Sequence, residues 1–545
     1  MSTPQDRLVD RRSFVARMGA LTALAATGGC AVGRGGPTPV AAAHLPDGGR
    51  SFYRGLPRPD LSAPGTPNPG EMAGWEAGAL LRDGAFSAEE LVQEQVARIR
   101  RWDGVYRAWN TVLERPALDG ARALDNGGAR GLLSGVTLAV KDNYYTEGVL
   151  TTGNSHIFAT FVPGYDATVV ARIRAAGGLV LGKTQMGPLA TTRALTPDGE
   201  VTTVNAWTPG DPRVNPGGSS TGSATAVAAR MAGSSIGTQT GGSITAPALA
   251  QGLTGLKPTM GRVSLYGVIP LTYTRDHPGP LARDARDAAL LLQVMAGEDP
   301  QDPRTHGLPP VPDYLTAATP VERRGEPVLR WPTRIGVLPG WADGEGEQAV
   351  ERRAFLREME AAGAVLVEVS PSERWRELTG GIFNAVRLPE RSEPFLEYLR
   401  RDVRLFGVSL SSWMQGLFLS GDEYLKGQRA KLALLQHTMD ELLADCDVVV
   451  QSGHVPFDMI GLPLITFPTG MQGAEGAERP RGILLGAGPF GEERLLSVAA
   501  AWQARTDFHL RRPPEPTAEE EARLTGPGAA SRGRMDVEEV AALSE

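Results

Sequence analysis

The sequence predicts an α/β fold in which a mixed, largely parallel sheet is covered by helices on both faces. Short apolar runs of the kind found in buried strands alternate along the chain with longer segments of helical periodicity. Strands that alternate with helices favour parallel pairing through crossover connections, which leaves both faces of the sheet covered. The formal net charge of −7 over 545 residues argues against nucleic acid as a partner.

Caps and turn residues place the individual elements. Ser87 and Glu90 form a capping box at the start of the first predicted helix, and Gly177 is placed to end a later one. Lys141 stands at the carboxyl end of a run typical of a buried strand. In chain order we predict a helix at about 87–101, strand 135–140, helix 167–176, strand 178–182, helix 220–232, strand 234–238, strand 333–338, helix 347–362, strand 364–369, helix 424–445 and strand 447–451.

Two segments rich in glycine and serine lie in the middle of the chain. Residues 216–223 read P-G-G-S-S-T-G-S, and residues 237–244 read G-T-Q-T-G-G-S-I. Glycines let backbone N–H groups approach a reacting oxygen, and a desolvated lysine such as Lys141 can lose its proton near neutral pH. A lysine and two serines in glycine-rich turns therefore indicate an acyl-transfer site built without histidine.

The first of these segments also contains a formal G-x-S-x-G motif at residues 218–222. That motif would make Ser220 the nucleophile of an α/β-hydrolase, in which the serine follows a strand. Residues 211–216 contain two prolines and no strand pattern, which argues against this alternative. We expect Ser220 instead to support Ser219 and to cap the helix that follows.

At these residues the chain resembles the amidase signature family, which uses a Ser–cis-Ser–Lys triad on an α/β fold. The family patterns V-K-D, G-G-S-S-x-G-S, G-T-x-x-G-G-S and G-x-K-P-T are similar to residues 140–142, 217–223, 237–243 and 255–259. Further matches in the same order extend the resemblance over about residues 70–515. It implies a single large domain and a serine amidohydrolase that gives an acid plus ammonia or an amine.

The resemblance implies a role for each matching residue. Ser243 is implied to be the nucleophile and Lys141 the terminal base. Ser219 is implied to be the bridging serine, held by a cis peptide bond after Gly218. The implied oxyanion hole consists of the backbone N–H groups of Thr240, Gly241, Gly242 and Ser243. Neutral Lys141 would take a proton from Ser219, which would take one from Ser243 as that serine attacks the amide carbonyl.

The chain departs from the family pattern around the nucleophile. Many members carry aspartate where Gln239 stands, and arginine two residues after the nucleophile, whereas Thr245 and Ala246 follow Ile244 here. Because both charges of that possible pair are absent together, we expect compensation rather than damage. The seven histidines show no metal-ligand spacing, and no nucleotide-binding loop is present, so neither a metal nor another cofactor is expected.

The N-terminus carries an export signal. Arg11 and Arg12 form a twin-arginine motif, followed by an apolar run over 18–26 that is too short to span a membrane. Cys30 closes a lipobox-like sequence and is a possible lipid anchor, while cleavage after Ala43 is the alternative. We predict export by the twin-arginine route, to the periplasm, to the cell envelope as a lipoprotein, or to the medium.

The predicted domains are a signal and linker at 1–43, an extended segment at 44–69, the amidase signature domain at 70–515 and a disordered tail at 516–545. The stretch at about 371–430 lies between motif blocks, and its aromatic residues are candidates for the core or an acyl pocket. The expected partner is a small amide substrate, with the chain a monomer or homodimer. Two alternatives remain: a component of an amidotransferase, and a non-catalytic surface lipoprotein on an amidase scaffold.

Overall fold

The computed structural model describes residues 50–54, 56–57, 68–128, 130–380, 382–473, 478–526 and 533–544. The predicted twin-arginine motif, Cys30, the cleavage site after Ala43 and much of the predicted 44–69 segment lie outside the described residues. No helix within the described part of the chain is long and apolar enough to cross a membrane.

An 11-stranded sheet organises the chain, in the order β1-β3-β2-β4-β6-β5-β12-β13-β11-β9-β10, and β7 and β8 form a separate pair. The strands are β1 Trp109–Val112, β2 Thr137–Lys141, β3 Leu179–Thr184, β4 Ser234–Gln239, β5 Thr254–Lys257, β6 His277–Ala282, β7 Val321–Arg323, β8 Glu326–Val328, β9 Thr333–Val337, β10 Ala364–Glu368, β11 Val448–Gln451, β12 Leu464–Gln472 and β13 Arg479–Ala487.

The sheet is mixed, as the sequence predicts. Parallel pairs join β2 to β3 and to β4, and join β9 to β10 and to β11. The other neighbouring pairs are antiparallel, so parallel pairing is confined to two groups toward the ends of the sheet. A connection that contains a helix runs from β2 to β3, from β3 to β4 and from β9 to β10, and such crossovers are what parallel pairing requires.

The described α-helices are Arg50–Arg54, Gly74–Asp83, Ala88–Tyr106, Glu114–Asp125, Thr168–Ala175, Thr221–Ala228, Thr245–Gln251, Ala285–Met295, Tyr314–Ala317, Glu347–Ala361, Glu373–Leu378, Ile382–Ser392, Leu396–Arg401, Leu410–Leu417, Gly421–His437, Val455–Ile460, Glu492–Arg505, Ala518–Thr525 and Val537–Ser544. Most predicted elements are present within a few residues. The helix predicted at 220–232 ends earlier, at Ala228, because Arg230 adopts a left-handed conformation with φ of 59°. The helix predicted at 424–445 becomes a π-helix at Thr438–Leu442.

Helices cover both faces of the sheet, and β2 shows why. Its side chains alternate, so that Leu138 and Val140 enter the hydrophobic cluster containing the Ala285–Met295 helix. Ala139 points the other way, into the cluster containing the Ala88–Tyr106 helix. Because β2 is buried along its whole length, Lys141 at its end is buried too.

The structure differs from the expectation of a disordered tail. Thr517 and Glu520 form a capping box that starts the Ala518–Thr525 helix. Val540 of the last helix is fully buried in a cluster with Val201 and Val408. Local capping and burial of apolar surface thus order segments whose composition alone suggested a solvated chain.

The stretch at 371–430 folds into helices whose aromatic residues mostly belong to the core. Trp375 and Phe383 pack in one hydrophobic cluster, and Phe395 and Trp413 in another. Phe418 is the exception among these aromatics, with 80% of its surface exposed. The two clusters support the helices that stand beside the candidate site.

Candidate functional site

Lys141, the predicted base, is fully buried and touches the predicted bridging serine. Its Nζ lies 2.7 Å from Ser219 Oγ and 2.8 Å from Thr238 Oγ1. Thr238 belongs to β4, the parallel neighbour of β2, so the sheet itself aligns these two side chains. Burial lowers the pKa of Lys141 from its ordinary 10.5 to about 7, against the opposing effect of the Asp276 charge. A lysine in this state can accept a proton at neutral pH.

Ser219 and Ser243 are brought together by a close approach at Gly218. The Ser219 backbone N–H donates to Ser243 Oγ at 3.3 Å. A Cβ atom at Gly218 would lie 3.1 Å from Ser243 Cα, tighter than ordinary contacts, so the absence of a side chain lets the two segments meet. The hydroxyl groups of Ser219 and Ser243 make no hydrogen bond with each other in the described structure. The predicted contact between Lys141 and the Ser219 hydroxyl is therefore formed, whereas Ser219 contacts Ser243 through its backbone N–H.

The predicted cis peptide bond between Gly218 and Ser219 is not found. Every peptide bond among the described residues is trans. For a bond that does not precede proline, the trans form is favoured by about 3 kcal/mol. The trans form already brings Ser219 Oγ to Lys141 Nζ, so that contact does not require the other isomer.

Ser220 has a supporting position. Its Oγ donates to Thr238 O at 3.3 Å, and Thr238 N–H donates back to that Oγ at 3.3 Å. The α/β-hydrolase alternative is wrong, because in the described chain no strand lies between β3, which ends at Thr184, and Ser220, whose hydroxyl is hydrogen-bonded to Thr238 of β4. The expected capping role is also wrong, since the Ser220 side chain makes no capping hydrogen bond with the Thr221–Ala228 helix.

The predicted oxyanion hole is only partly available. Gly242, at φ of 86°, occupies a left-handed conformation suited to glycine, and its N–H donates to Asp458 Oδ2 at 2.9 Å. Gly242 therefore differs from its predicted role, because the buried carboxylate already satisfies its donor. Within the described residues no hydrogen bond uses the N–H groups of Thr240, Gly241 or Ser243, which remain free to meet a developing oxyanion.

The structure explains the unusual residues around the nucleophile. Gln239 Oε1 accepts hydrogen bonds from the N–H groups of Ile244 and Thr245 at 2.9 and 2.8 Å. Its Nε2 donates to Asp458 Oδ1 at 2.8 Å. The same carboxylate oxygen lies 3.8 Å from Lys257 Nζ. A neutral amide thus braces this segment, and the carboxylate that it contacts comes from the distant Val455–Ile460 helix.

Sequence reasoning missed three residues that hold the site: Thr238, Asp276 and Asp458. Asp276 accepts a hydrogen bond from Thr240 Oγ1 and from the N–H groups of Leu271 and Thr272. Burial raises the pKa of Asp276, while these hydrogen bonds oppose the rise. Thr238 fell inside a matched motif and Asp276 only within the wider span of the resemblance, but nothing in the linear pattern indicated their contacts, and no motif marked Asp458.

The surroundings of the triad include a cavity of about 690 Å³, whose lining includes Thr245, Ala246 and His454 but neither Ser243 nor Lys141. His454 also packs against Gly242, so the cavity adjoins residues 240–244, the segment that holds the predicted nucleophile and that we call the nucleophile loop. Among the described residues, no group of three or more His, Cys, Asp or Glu side chains is arranged to hold a metal ion. The site instead contains a buried lysine, two serines and backbone N–H donors, which are the groups needed for acyl transfer.

Comparison with known proteins agrees with this geometry. The family model described as Amidase matches residues 90–452. One subunit of the glutamyl-tRNA(Gln) amidotransferase of Moorella thermoacetica is 34% identical over 495 residues, covering 80% of this chain and 97% of that protein. The native peptide amidase of Stenotrophomonas maltophilia superposes with a TM-score of 0.64 and 29% identity, covering 80% of this chain and 97% of the other.

A second solved structure is similar over the same part of the chain. It comes from a vestigial protein complex that bears on the evolutionary origins of an s-triazine catabolic enzyme, solved with inhibitor bound. Its TM-score is 0.69 at 26% identity, covering 80% of this chain and 98% of that one. The family model matches most of the chain, and the similarity to these relatives extends over 80% of it. Lys141, Ser219 and Ser243 also meet in the structure. We conclude that this chain belongs to the amidase signature family.

Proposed function

We propose that this protein is a serine amidase that cleaves a carboxylic amide through an acyl-enzyme on Ser243. The observation that carries the proposal is the 2.7 Å contact between Lys141 Nζ and Ser219 Oγ, made by a lysine with a pKa of about 7. Ser219 in turn lies against Ser243 through its N–H, 3.3 Å from Ser243 Oγ. Base, relay and nucleophile are thus contiguous.

The proposed reaction moves one proton along this line. Neutral Lys141 accepts the Ser219 hydroxyl proton, Ser219 accepts the Ser243 proton, and Ser243 Oγ bonds to the amide carbonyl carbon. This step requires the two serine hydroxyls to meet once substrate is bound, as catalytic hydrogen bonds often tighten only in the complex. The oxyanion forms against the N–H groups of Gly241 and its neighbours.

Collapse of the tetrahedral intermediate breaks the C–N bond. Ser219 returns a proton to the leaving nitrogen and regains one from the Lys141 ammonium. Water then adds to the ester carbonyl while its proton passes through Ser219 to Lys141; the C–O bond to Ser243 breaks, and the proton returns from the Lys141 ammonium through Ser219 to Ser243 Oγ. The products are a carboxylic acid and ammonia or an amine, and all three side chains return to their starting state.

A fluorophosphonate probe tests this proposal directly. The purified protein should be labelled on Ser243, and Ser243→Ala should lose both labelling and amide hydrolysis with an unchanged circular dichroism spectrum. Ser220→Ala is the matched control, because that serine lies next to Ser219 but is bonded to Thr238. Absence of labelling on folded wild-type protein would support the non-catalytic scaffold alternative instead.

The second candidate function is that of one component of an amidotransferase. It is favoured by the relatives at 34% identity that are named as subunits of glutamyl-tRNA(Gln) amidotransferase. The two functions differ in whether a partner is required. We expect the isolated chain to release ammonia or amine from small amides with no other protein present. Turnover that appears only with a partner protein would favour the amidotransferase.

We further propose that the protein is exported by the twin-arginine route. The support is the Arg11–Arg12 pair and the apolar run that follows it. Lysine at both positions should retain the precursor inside the cell. Mass spectrometry of the mature N-terminus distinguishes a lipid-modified Cys30 from cleavage after Ala43. Active protein found in the cytoplasm with its original N-terminus would contradict export.

A further inference from the structure

Three arginines lie buried beside the nucleophile loop, and we call Arg275, Arg387 and Arg391 the arginine cluster. Arg275 precedes β6, and the other two belong to the Ile382–Ser392 helix. The guanidinium carbon of Arg275 lies 3.9 Å from the centre of the Phe383 ring, and that of Arg387 lies 4.8 Å from the same centre. The ring of Phe383 therefore contacts two of the three cations.

The cluster touches the loop that holds the nucleophile. Arg275 Nη2 donates to Thr240 O at 2.8 Å. A side-chain atom built at Gly241 would lie 3.9 Å from both Arg275 Nη2 and Phe383 Cζ. Arg275 thus contacts the segment that carries the backbone donors proposed for the oxyanion, three residues before Ser243.

Much of the hydrogen-bonding capacity of Arg275 and Arg391 is unused among the described residues. Nε and Nη1 of both Arg275 and Arg391 are buried without a partner among the described residues. The two residues are only 0% and 2% exposed, so water does not readily replace the missing partners. The guanidinium of Arg391 lies 5.4 Å from the ring centre of Trp413, whose Nε1 is likewise an unpartnered buried donor. Buried donors are nearly always satisfied in folded proteins, and in Arg275 and Arg391 both Nε and Nη1 are available to a further acceptor.

The charged groups around Arg391 also favour the binding of an anion. The groups that act electrostatically on Arg391 are Arg387 and Arg275, which repel it, and Asp276, which attracts it. The Asp276 carboxylate is already bound by the N–H groups of Leu271 and Thr272 at 2.7 and 3.0 Å. Burial and the neighbouring cations hold the pKa of Arg391 well below its ordinary value. A buried cation in such surroundings is stabilised when an anion binds.

We propose that Arg391, with Arg275, binds a carboxylate carried by the substrate, so that this enzyme acts on amides that bear a second, anionic group. The guanidinium fork matches the two oxygens of a carboxylate, which makes this class of ligand the best fit to four unused donors. The inference rests on the proposed function, because it places this carboxylate in the molecule whose amide reacts with Ser243.

Matched substrate pairs test the proposal in the wild-type protein. The monoamides of succinic, glutaric and adipic acid each carry a carboxylate, and butanamide, pentanamide and hexanamide are neutral counterparts with the same number of carbons and a methyl group in its place. We expect the best monoamide to exceed every neutral amide in kcat/KM by roughly 10- to 150-fold, the range typical of a hydrogen bond to a charged group. Equal kcat/KM for acids and neutral amides would overturn the proposal while leaving the amidase function intact.

Variants of single arginines test whether Arg391 causes the preference for monoamides. Arg391→Met should remove the preference for the monoamide over the neutral amide, whereas Arg391→Lys should retain part of that preference because the charge remains. Arg400→Met is the control, since that arginine is 71% exposed and lies on a neighbouring helix. A preference that survives Arg391→Met would assign the carboxylate to another site.

A binding measurement separates this inference from catalysis. Glutarate should raise the melting temperature of the wild type and of Ser243→Ala above that in sodium chloride of equal ionic strength, and should not do so for Arg391→Met. If Arg391→Met does not fold, the comparison of glutarate with sodium chloride on the wild type still tests the proposed anion site. Failure of glutarate to shift the wild type, together with no preference for monoamides, refutes the anion site. Absence of both fluorophosphonate labelling and hydrolysis refutes the amidase function instead.

Discussion

Replacing Lys141 by methionine should stabilise the fold at pH 7 while abolishing amide hydrolysis. Burial lowers the pKa of Lys141 from 10.5 to about 7 in the folded protein. Between those two pH values the unfolded chain binds more protons at this position than the folded chain does. The free energy of unfolding of the wild type therefore rises with pH across this interval, and methionine removes that dependence.

The magnitude follows from the pKa shift. At 1.36 kcal/mol per pKa unit, keeping Lys141 buried costs the folded state about 4 kcal/mol at pH 7. The methionine variant loses the contacts of Nζ with Ser219 and Thr238, worth about 1 kcal/mol each, which leaves a net gain of about 2 kcal/mol. Between pH 7 and pH 9.5 the free energy of unfolding of the wild type should rise by about 3 kcal/mol relative to that of Lys141→Met.

Urea unfolding followed by circular dichroism at pH 7, 8 and 9.5 measures this difference. Lys426→Met is the matched control, because Lys426 is 74% exposed on the Gly421–His437 helix and its removal should give no comparable trend. A difference between the wild type and Lys141→Met that stays constant over this pH range would refute the reasoning. It would mean that Lys141 is protonated in the folded protein, which would also remove the proposed base.

Three further predictions concern catalysis. Because the pKa of Lys141 is about 7, kcat/KM should rise about tenfold per unit below that pH and level off above about pH 8; a flat profile from pH 5 to 9 would contradict a lysine base. Asp276→Asn removes a charge that favours the Lys141 ammonium, so the midpoint of this profile should move to lower pH, and an upward shift would be inconsistent with that cause. Asp458→Asn should lower kcat by about 10-fold or more while fluorophosphonate still labels Ser243, because the carboxylate fixes the N–H of Gly242 and the amide of Gln239; unchanged kcat would show that this brace is dispensable.

Local patterns in the sequence were sufficient for much of the fold. The capping box of Ser87 and Glu90, the turn at Gly177 and the apolar run before Lys141 each specify structure through neighbouring residues, and the structure has the corresponding elements. The helix predicted at 220–232 was too long, because Arg230 adopts a left-handed conformation that the helical propensities of this segment do not indicate. The helical tail was missed because burial of Val540 depends on residues far away in the chain.

The sequence by itself indicated Lys141, Ser219 and Ser243 as the candidate triad, because two serines in glycine-rich segments and a lysine after an apolar run resemble the amidase signature pattern. Only the tertiary structure decided how they are coupled. The depressed pKa of Lys141 arises from burial in the middle of a sheet, and the brace on Gln239 comes from Asp458, more than two hundred positions away. The arginine cluster likewise exists only because Arg275 and Arg391 meet in space. Burial and long-range contacts determine the charge state and the hydrogen bonds of these side chains, and neither can be derived from the order of neighbouring residues in the sequence.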